Sequence, residues 1–150
     1  MCWPKVVTAI EAAIAAAASI VVLYPHMNSL GGDNFILIGD GRRPIAIDAC
    51  GRAALLANND FYKYQGLNRI PGRGPLSGLT VAGAVSGWQQ ALLLSRKHGG
   101  KMPLSRLLED AVFYAKKGTL VSGTLHRNTK SKLHELKDVS GFSDVFLSNG

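Results

Sequence analysis

The stretch Ala9–Ile38, AIEAAIAAAASIVVLYPHMNSLGGDNFILI, decides the fold. Its first half is dense in alanine, the best helix former, and predicts a helix from Thr8 to Leu23. Apolar residues fall on nearly every face, so the helix is expected to be buried almost all round. Pro25 stops it, because proline lacks the amide and clashes with the turn before it. Phe35 to Ile38 is apolar at every position, the pattern of a short strand covered on both faces. Gly39-Asp40-Gly41 supplies a hairpin turn, and Pro44 to Asp48 is the return strand. Arg42 and Arg43 read as solvent-facing turn residues. A hairpin cannot bury two faces by itself. It needs further strands beside it and another helix layer. The expectation is therefore an α/β (α+β) chain, helix-rich with a short β-hairpin, forming over 1–150 a single partial domain of a larger unit.

The remaining chain is mostly helical. Asn58 to Gly78 reads as irregular, punctuated by Gly66, Pro71, Gly72, Gly74 and Pro75. Thr80 to Gly83 reads as a short extended piece. Val85 to His98 predicts a helix with Val85, Trp88, Ala91, Leu92 and Ser95 on one side, ended by Gly99-Gly100. Pro103 to Lys117 has the clearest amphipathic period, with Leu104, Leu107, Leu108, Ala111, Val112 and Ala115 on one face. Pro103 suits the first helical position, and Lys116, Lys117 and Gly118 suit the last. Thr124 to Leu136 predicts a more polar helix. No internal repeat and no low-complexity linker interrupts this order.

Composition narrows the function classes. The 150 residues are 47% hydrophobic, which excludes disorder. The longest apolar run, Ala12 to Tyr24, falls short of the roughly 20 residues a membrane helix needs. It follows Lys5 as a signal peptide would, but Glu11 sits at its edge and no clean cleavage site follows, so a buried helix is the better reading. With no convincing signal, a cytoplasmic setting is mildly favoured. The formal charge of +7 is concentrated between Arg96 and Asp138, where ten Lys/Arg face four Asp/Glu. No nucleic-acid motif and no aromatic platform accompanies it, so a solvated helix surface is preferred to a nucleic-acid site. Docking onto an acidic partner chain is a third reading.

The chemistry-bearing residues are sparse. Two cysteines make no disulfide framework. Cys50, in apolar sequence, reads as a buried free thiol. Cys2 would become N-terminal on removal of Met1, but Pro4 and a helical pattern follow it where a nucleophile of that kind begins a strand. The four histidines, His26, His98, His126 and His134, make no zinc or H-E-x-x-H spacing. His98 falls at a helix C-terminus, and His126 and His134 fall on the polar helix. His26 has Asp33 as its only nearby acid, and a hydrogen-bonded turn histidine is preferred there to a metal ligand. Gly31-Gly32 follow a helix and precede a strand, the reverse of a phosphate loop, so close backbone packing is the preferred reading. No serine or threonine has the neighbours of a nucleophile–base pair. No metal and no cofactor is expected.

These segments together resemble one family. The opening stretch is similar to the large-subunit signature of γ-glutamyltranspeptidases, in which a GGNAxDAAVAAA helix runs into PHxSGxGGGGF. Leu79–Leu92, LTVAGAVSGWQQAL, resembles the family's xVPGxVxGW segment. Gly99–Ser122, GGKMPLSRLLEDAVFYAKKGTLVS, resembles its YGxLPWxxLLxPAIxLAxxGFxVS. The resemblance implies part of the four-layer αββα sandwich of N-terminal nucleophile hydrolases. It also implies a precursor that cuts itself into large and small subunits, with the new N-terminal Thr of the small subunit as nucleophile. On that reading the chain is the front of the large subunit and carries no catalytic residue. Its partners are the small subunit or the remaining large-subunit segment. The turn of His26, Gly31, Gly32 and Asp33 is structural and lies near the cleft.

Two departures bear on substrate. Glutathione-cleaving members carry AIDxRExAP, whose Arg clamps an α-carboxylate. Here Ala46–Leu55 reads AIDACGRAAL, with Cys50 at the Arg position and Arg52 two residues on. DACGRA with RGPLSGLTVAGAVSGW looks closest to the oxamate amidohydrolase-like branch, which hydrolyses small amides. Arg52 is the candidate substrate-binding residue, and a structural ion pair with Asp48 is the other reading of it. Ala82 stands for a usual Pro and Asn34 for a usual Gly. The leading expectation is a partial large subunit of a γ-glutamyl or small-amide hydrolase, inactive alone. The alternative is a stand-alone helical binding or regulatory protein that docks on a partner subunit.

Overall fold

The computed structural model describes residues 7–39, 41 and 43–148. The elements run α1 (Ala9–Leu23), β1 (Asn34–Ile38), β2 (Ile45–Ala49), α2 (Asn59–Tyr64), α3 (Ala84–Lys97), α4 (Leu104–Leu107), α5 (Glu109–Lys117), α6 (Gly123–Leu136) and α7 (Phe142–Phe146). A single 3-10 turn, Pro75–Ser77, lies between α2 and α3. The chain divides into two compact units. One draws on the chain before Arg52 together with Ala82–Leu120, the other on Arg52–Val81 with the chain after Leu120.

The first unit holds the core. α1 starts where Thr8 caps it: the hydroxyl accepts from the Glu11 amide, and the Glu11 carboxylate accepts from the Thr8 amide at 2.9 Å. Glu11 does more than cap. Its other oxygen accepts the Met102 amide at 2.8 Å, and the Thr8 hydroxyl is 2.6 Å from that of Ser95 on α3. Both Glu11 and Ser95 are fully buried. Burial pushes the Glu11 carboxyl up, but the amides of Thr8, Met102 and Lys101 and the Thr8 hydroxyl together hold it below the usual carboxylate range. Around this knot Ile14 and Ala18 of α1 pack with Trp88, Ala91 and Leu92 of α3 and with Leu107 and Ala111. The expected single helix over Pro103–Lys117 is jointed at Leu108, whose φ is −92° and ψ −6°. Leu107 and Ala111, on either side of that joint, still reach the same cluster.

β1 and β2 pair antiparallel, Asn34 opposite Ala49 through Ile38 opposite Ile45. The hairpin and both strands were legible in sequence; the connecting Asp40 and Arg42 lie outside the described residues. Ile36, Ile38 and Ile47 face the helices. The expectation of cover on both faces is not met among the described residues, since Phe35 and Leu37 are 68% and 75% exposed on the opposite face. The two strands form an α+β arrangement, with helices on one side of them among the described residues.

The expected close packing at Gly31 and Gly32 is also corrected. A Cβ at either would meet nothing nearer than 3.4 Å. The tight position is Gly83, just before α3, where a Cβ would run into the carbonyl oxygen of Ala49. Gly100 is next, pressed on the Ser95 hydroxyl and the Glu11 carboxylate.

In the second unit, the stretch read as irregular contains a short helix. Asn58 caps α2 by accepting from the Phe61 amide at 3.0 Å, and the Tyr62 hydroxyl, on a buried ring, donates to Leu76 O at 3.1 Å. Six residues are too few to display a helical period. Thr80 is extended as expected, bridging Ala53. Ser122 caps α6, which has no fully buried residue, and Arg73 pairs with Glu135 of α6 at 2.7 Å.

Two expectations follow for unfolding in urea. Gly83→Ala should cost about 3 kcal/mol or more, because the obstacle is backbone that cannot move aside. Gly32→Ala should stay within about 1 kcal/mol of the parent. Because the folded Glu11 carboxyl is lowered, its contribution is present above its ordinary value of 4.5 and is lost as pH falls through the folded value. The stability gap between the parent and Glu11→Gln should therefore be largest near neutrality and close on acidification. A gap that is constant with pH would contradict this.

Candidate functional site

The site residues read from the sequence cluster where α1 hands over to β1. Local bonds shape this turn: Asn28 Nδ2 donates to Tyr24 O at 3.1 Å, and the Gly31 amide donates to Ser29 Oγ at 2.9 Å. Three links then tie it to the hairpin and to α3. The Gly32 carbonyl accepts the amides of Gly83 and Ala84 at 3.0 and 3.1 Å. Asn34 Nδ2 donates to Ala84 O at 3.2 Å. Asp33 Oδ1 accepts the Gly51 amide at 2.7 Å, clasping the chain just past β2. Asp48 Oδ1 accepts the Cys50 amide at 2.9 Å, closing the same corner.

A cleft of ≈ 550 Å³ opens beside the turn, and His26, Asn28, Asp33, Asn34 and Trp88 contribute to its walls. His26 is corrected by the structure. Both ring nitrogens are buried, and neither has a hydrogen-bond partner among the described residues. The ring instead lies against Tyr24 with centroids 4.0 Å apart. The tight helix exit at Pro25 directs the imidazole onto its neighbour rather than onto a turn carbonyl.

Cys50 is likewise corrected, being exposed at the end of β2. It falls on the strand end, past the last core-facing position, where apolar neighbours in sequence do not become neighbours in space. Its thiol is pushed up foremost by a hydrogen bond to Asp33, and the charges of Asp33 and Asp48 act in the same direction. A thiol so held stays protonated and neutral at pH 7.

Arg52 belongs to the second unit and is exposed; its carbonyl accepts the Val81 amide at 2.9 Å. His98, His126 and His134 are all exposed. Cys2 lies outside the described residues. Among the described residues no group of three His, Cys, Asp or Glu could hold a metal ion. The hydroxyls of Thr8 and Ser95 are spent on each other and on the Glu11 knot. No helix of the described residues is long and apolar enough to cross a membrane. The arrangement can shape and line a cleft, and the described residues hold no paired nucleophile and base. The Asp33 clasp is the site feature that sequence reading did not assign; its only signal is an acid directly after two glycines, 18 residues from its partner.

A family model described as Gamma-glutamyltranspeptidase matches residues 6–150. The chain is 51% identical over 148 residues to the oxamate amidohydrolase proenzyme of Klebsiella pneumoniae, covering 95% of this chain and 27% of that protein. It is 35% identical over 144 residues to the glutathione hydrolase-like YwrD proenzyme of Bacillus subtilis, covering 95% of this chain and 26% of the relative. The chain thus spans about a quarter of the length of the curated relatives it matches. Among solved structures, the γ-glutamyltranspeptidase of Helicobacter pylori superposes with a TM-score of 0.80 at 26% identity, over 95% of this chain and 41% of that one. The helix-to-hairpin handover, the segment into α3 and the amphipathic α4–α5 pair all fall inside the matched span, and the chain belongs to the γ-glutamyltranspeptidase family.

Proposed function

We propose that this chain serves as the front part of the large subunit of a small-amide hydrolase of the oxamate amidohydrolase kind. The observation that carries the reading is its 51% identity to the Klebsiella protein, against 35% to the glutathione hydrolase-like one. The Cys50 corner supports it. Glutathione-cleaving members place a carboxylate-clamping Arg at this position. A neutral thiol cannot form an ion pair with a substrate carboxylate, so the clamp is missing at this position. Arg52, two residues on, is then the group that holds a small substrate carboxylate, as a planar guanidinium does in a bidentate pair.

In this reading the nucleophile is the N-terminal Thr of a small subunit, and its own amine is the base. This chain contributes scaffold and substrate placement. The turn of His26, Gly31, Gly32 and Asp33 holds the ends of β1 and β2 beside the cleft. The partners are the small subunit and the rest of the large subunit, and the substrate is oxamate or a similarly small amide.

Ammonia release tests this at two levels. The chain alone should turn over neither oxamate nor γ-glutamyl-p-nitroanilide; enzyme-like rates from it would sink the proposal. Grafted in place of the matching quarter of the Klebsiella protein, it should support maturation and oxamate hydrolysis. In that graft Arg52→Gln should raise KM for oxamate about 30-fold or more with a smaller change in kcat. An unchanged KM would remove Arg52 from the binding site.

A further inference from the structure

The hairpin register carries one step past the paired strands. Asn34 lies opposite Ala49, so Asp33 lies opposite Cys50. Residues opposed in this way have Cβ atoms about 4.5–5.5 Å apart, within reach of each other's side chains. The bonds at the corner agree with that placement. Asp33 Oδ1 accepts the amide of Gly51, the residue after Cys50, at 2.7 Å. Asp48 Oδ1 accepts the amide of Cys50 itself at 2.9 Å. The Cys50 thiol is hydrogen-bonded to the Asp33 carboxylate as well. Asp33 also borders the cleft beside the turn. One carboxylate thus reaches the cleft, the thiol and the backbone that follows the thiol.

Both members of this pair depart from the family pattern quoted above. Cys50 stands where glutathione-cleaving members have Arg, and Asp33 stands at a glycine of PHxSGxGGGGF. The two departures face each other across the hairpin. Their pairing has a physical reason. A glycine opposite position 50 leaves a guanidinium there with no side chain to answer it, so its fork is available to a substrate. An aspartate opposite gives that guanidinium a bidentate partner within the protein itself. A partner on the same chain acts at an effective concentration of about millimolar or above, so it competes with a substrate at ordinary concentrations. An Arg and an Asp in these two places would satisfy each other.

We propose that Asp33 is a specificity-determining residue and acts with Cys50 as a unit: its carboxylate would capture a guanidinium at position 50, so the loss of the clamp is set by two residues and not by Cys50 alone. The inference rests on the small-amide reading above and deepens it, because it names the second residue that shuts out γ-glutamyl substrates. If Asp33 did no more than clasp Gly51, an Asn would serve as well, since its amide oxygen accepts the same bond. The charge of Asp33 would then have no bearing on substrate.

The graft described above tests it in four forms: parent, Asp33→Asn, Cys50→Arg and both together. Cys50→Arg alone should leave kcat/KM for γ-glutamyl-p-nitroanilide within about 2-fold of the parent. Adding Asp33→Asn to it should raise kcat/KM about 5-fold or more, mostly through KM, while Asp33→Asn alone gains nothing. Cys50→Arg gaining as much by itself as the pair, or the pair gaining nothing, would overturn the proposal. Alkylation gives a second readout that needs no arginine. In the graft that keeps Cys50, Asp33→Asn removes the charge that holds the thiol protonated, so iodoacetamide should label the Cys50 peptide several-fold faster at pH 8. Equal rates would overturn the contact on which the unit depends. A graft inactive on oxamate whose double variant still gains γ-glutamyl turnover would leave this inference standing and sink the substrate reading. An oxamate-active graft in which the two substitutions act independently would do the reverse.

Discussion

The buried carboxylate of Glu11 is the constraint on which the first unit depends. It accepts the Thr8 amide at the start of α1 and the Met102 amide in the link between α3 and α4. Through the Thr8 hydroxyl it reaches Ser95 near the end of α3. The start of α1 and the Ser95–Met102 stretch, far apart in sequence, are thus fixed at one point, and the two amide bonds to the carboxylate are charge-assisted and stronger than neutral ones. A buried carboxylate left unpaired would cost far more than the bonds gain, so the knot forms complete or not at all. Once it forms, the axes of α1 and α3 are set. Trp88, Ala91 and Leu92 then meet Ile14 and Ala18, and the hairpin has a surface to lie on. Gly100 is part of the same constraint, because any side chain there would enter the space of Ser95 and Glu11.

Much of this was legible in the sequence where the signal is local and repeated. The alanine-rich run, the Phe35–Ile38 strand, its return strand and the amphipathic Leu104–Ala115 period each carry several residues that agree. Their elements fall within a residue or two of where the pattern puts them. Single-residue signals were harder. Thr8-Ala9-Ile10-Glu11 has the form of a capping box, a local signal that the sequence reading did not use. Nothing local says that its second oxygen binds Met102, 91 residues away. The turn was legible as a turn, but the roles within it were not. Gly31 and Gly32 have the composition of a tight packing site, yet the close approach to Ala49 belongs to Gly83, immediately before α3.

Cys50 and His26 show the same limit from the side of chemistry. Apolar neighbours in the chain make a cysteine look buried, but a strand ends where its hydrogen bonds end. Cys50 sits one residue past Ala49, the last paired position. Its character is then set by Asp33, which is distant in sequence and brought near by the hairpin register. His26 follows the helix terminator, where turn hydrogen bonds are the rule, and it is placed against Tyr24 instead. In both cases the residue type was visible and its partner was not, because the partner is supplied by a long-range contact.

The sheet shows what kind of object the chain is. Its helix-facing side is ordinary core, with Ile36, Ile38 and Ile47 on the buried cluster. Its other side presents Phe35 and Leu37 almost bare. A strand apolar on both faces is the mark of a sheet meant to be covered twice, and only one cover is present among the described residues. Covering a side chain of this size is worth about 1.5–3 kcal/mol, a gain left unrealised at Phe35 and Leu37. The same residues that read as a strand in a sandwich thus have one face uncovered among the described residues. One face of the sheet is packed on the helices, and the other, at Phe35 and Leu37, is exposed. The cleft beside His26 and Asp33 lies on the same unit as this sheet, so on the large-subunit reading we propose, the polypeptide that covers the sheet also borders the cleft.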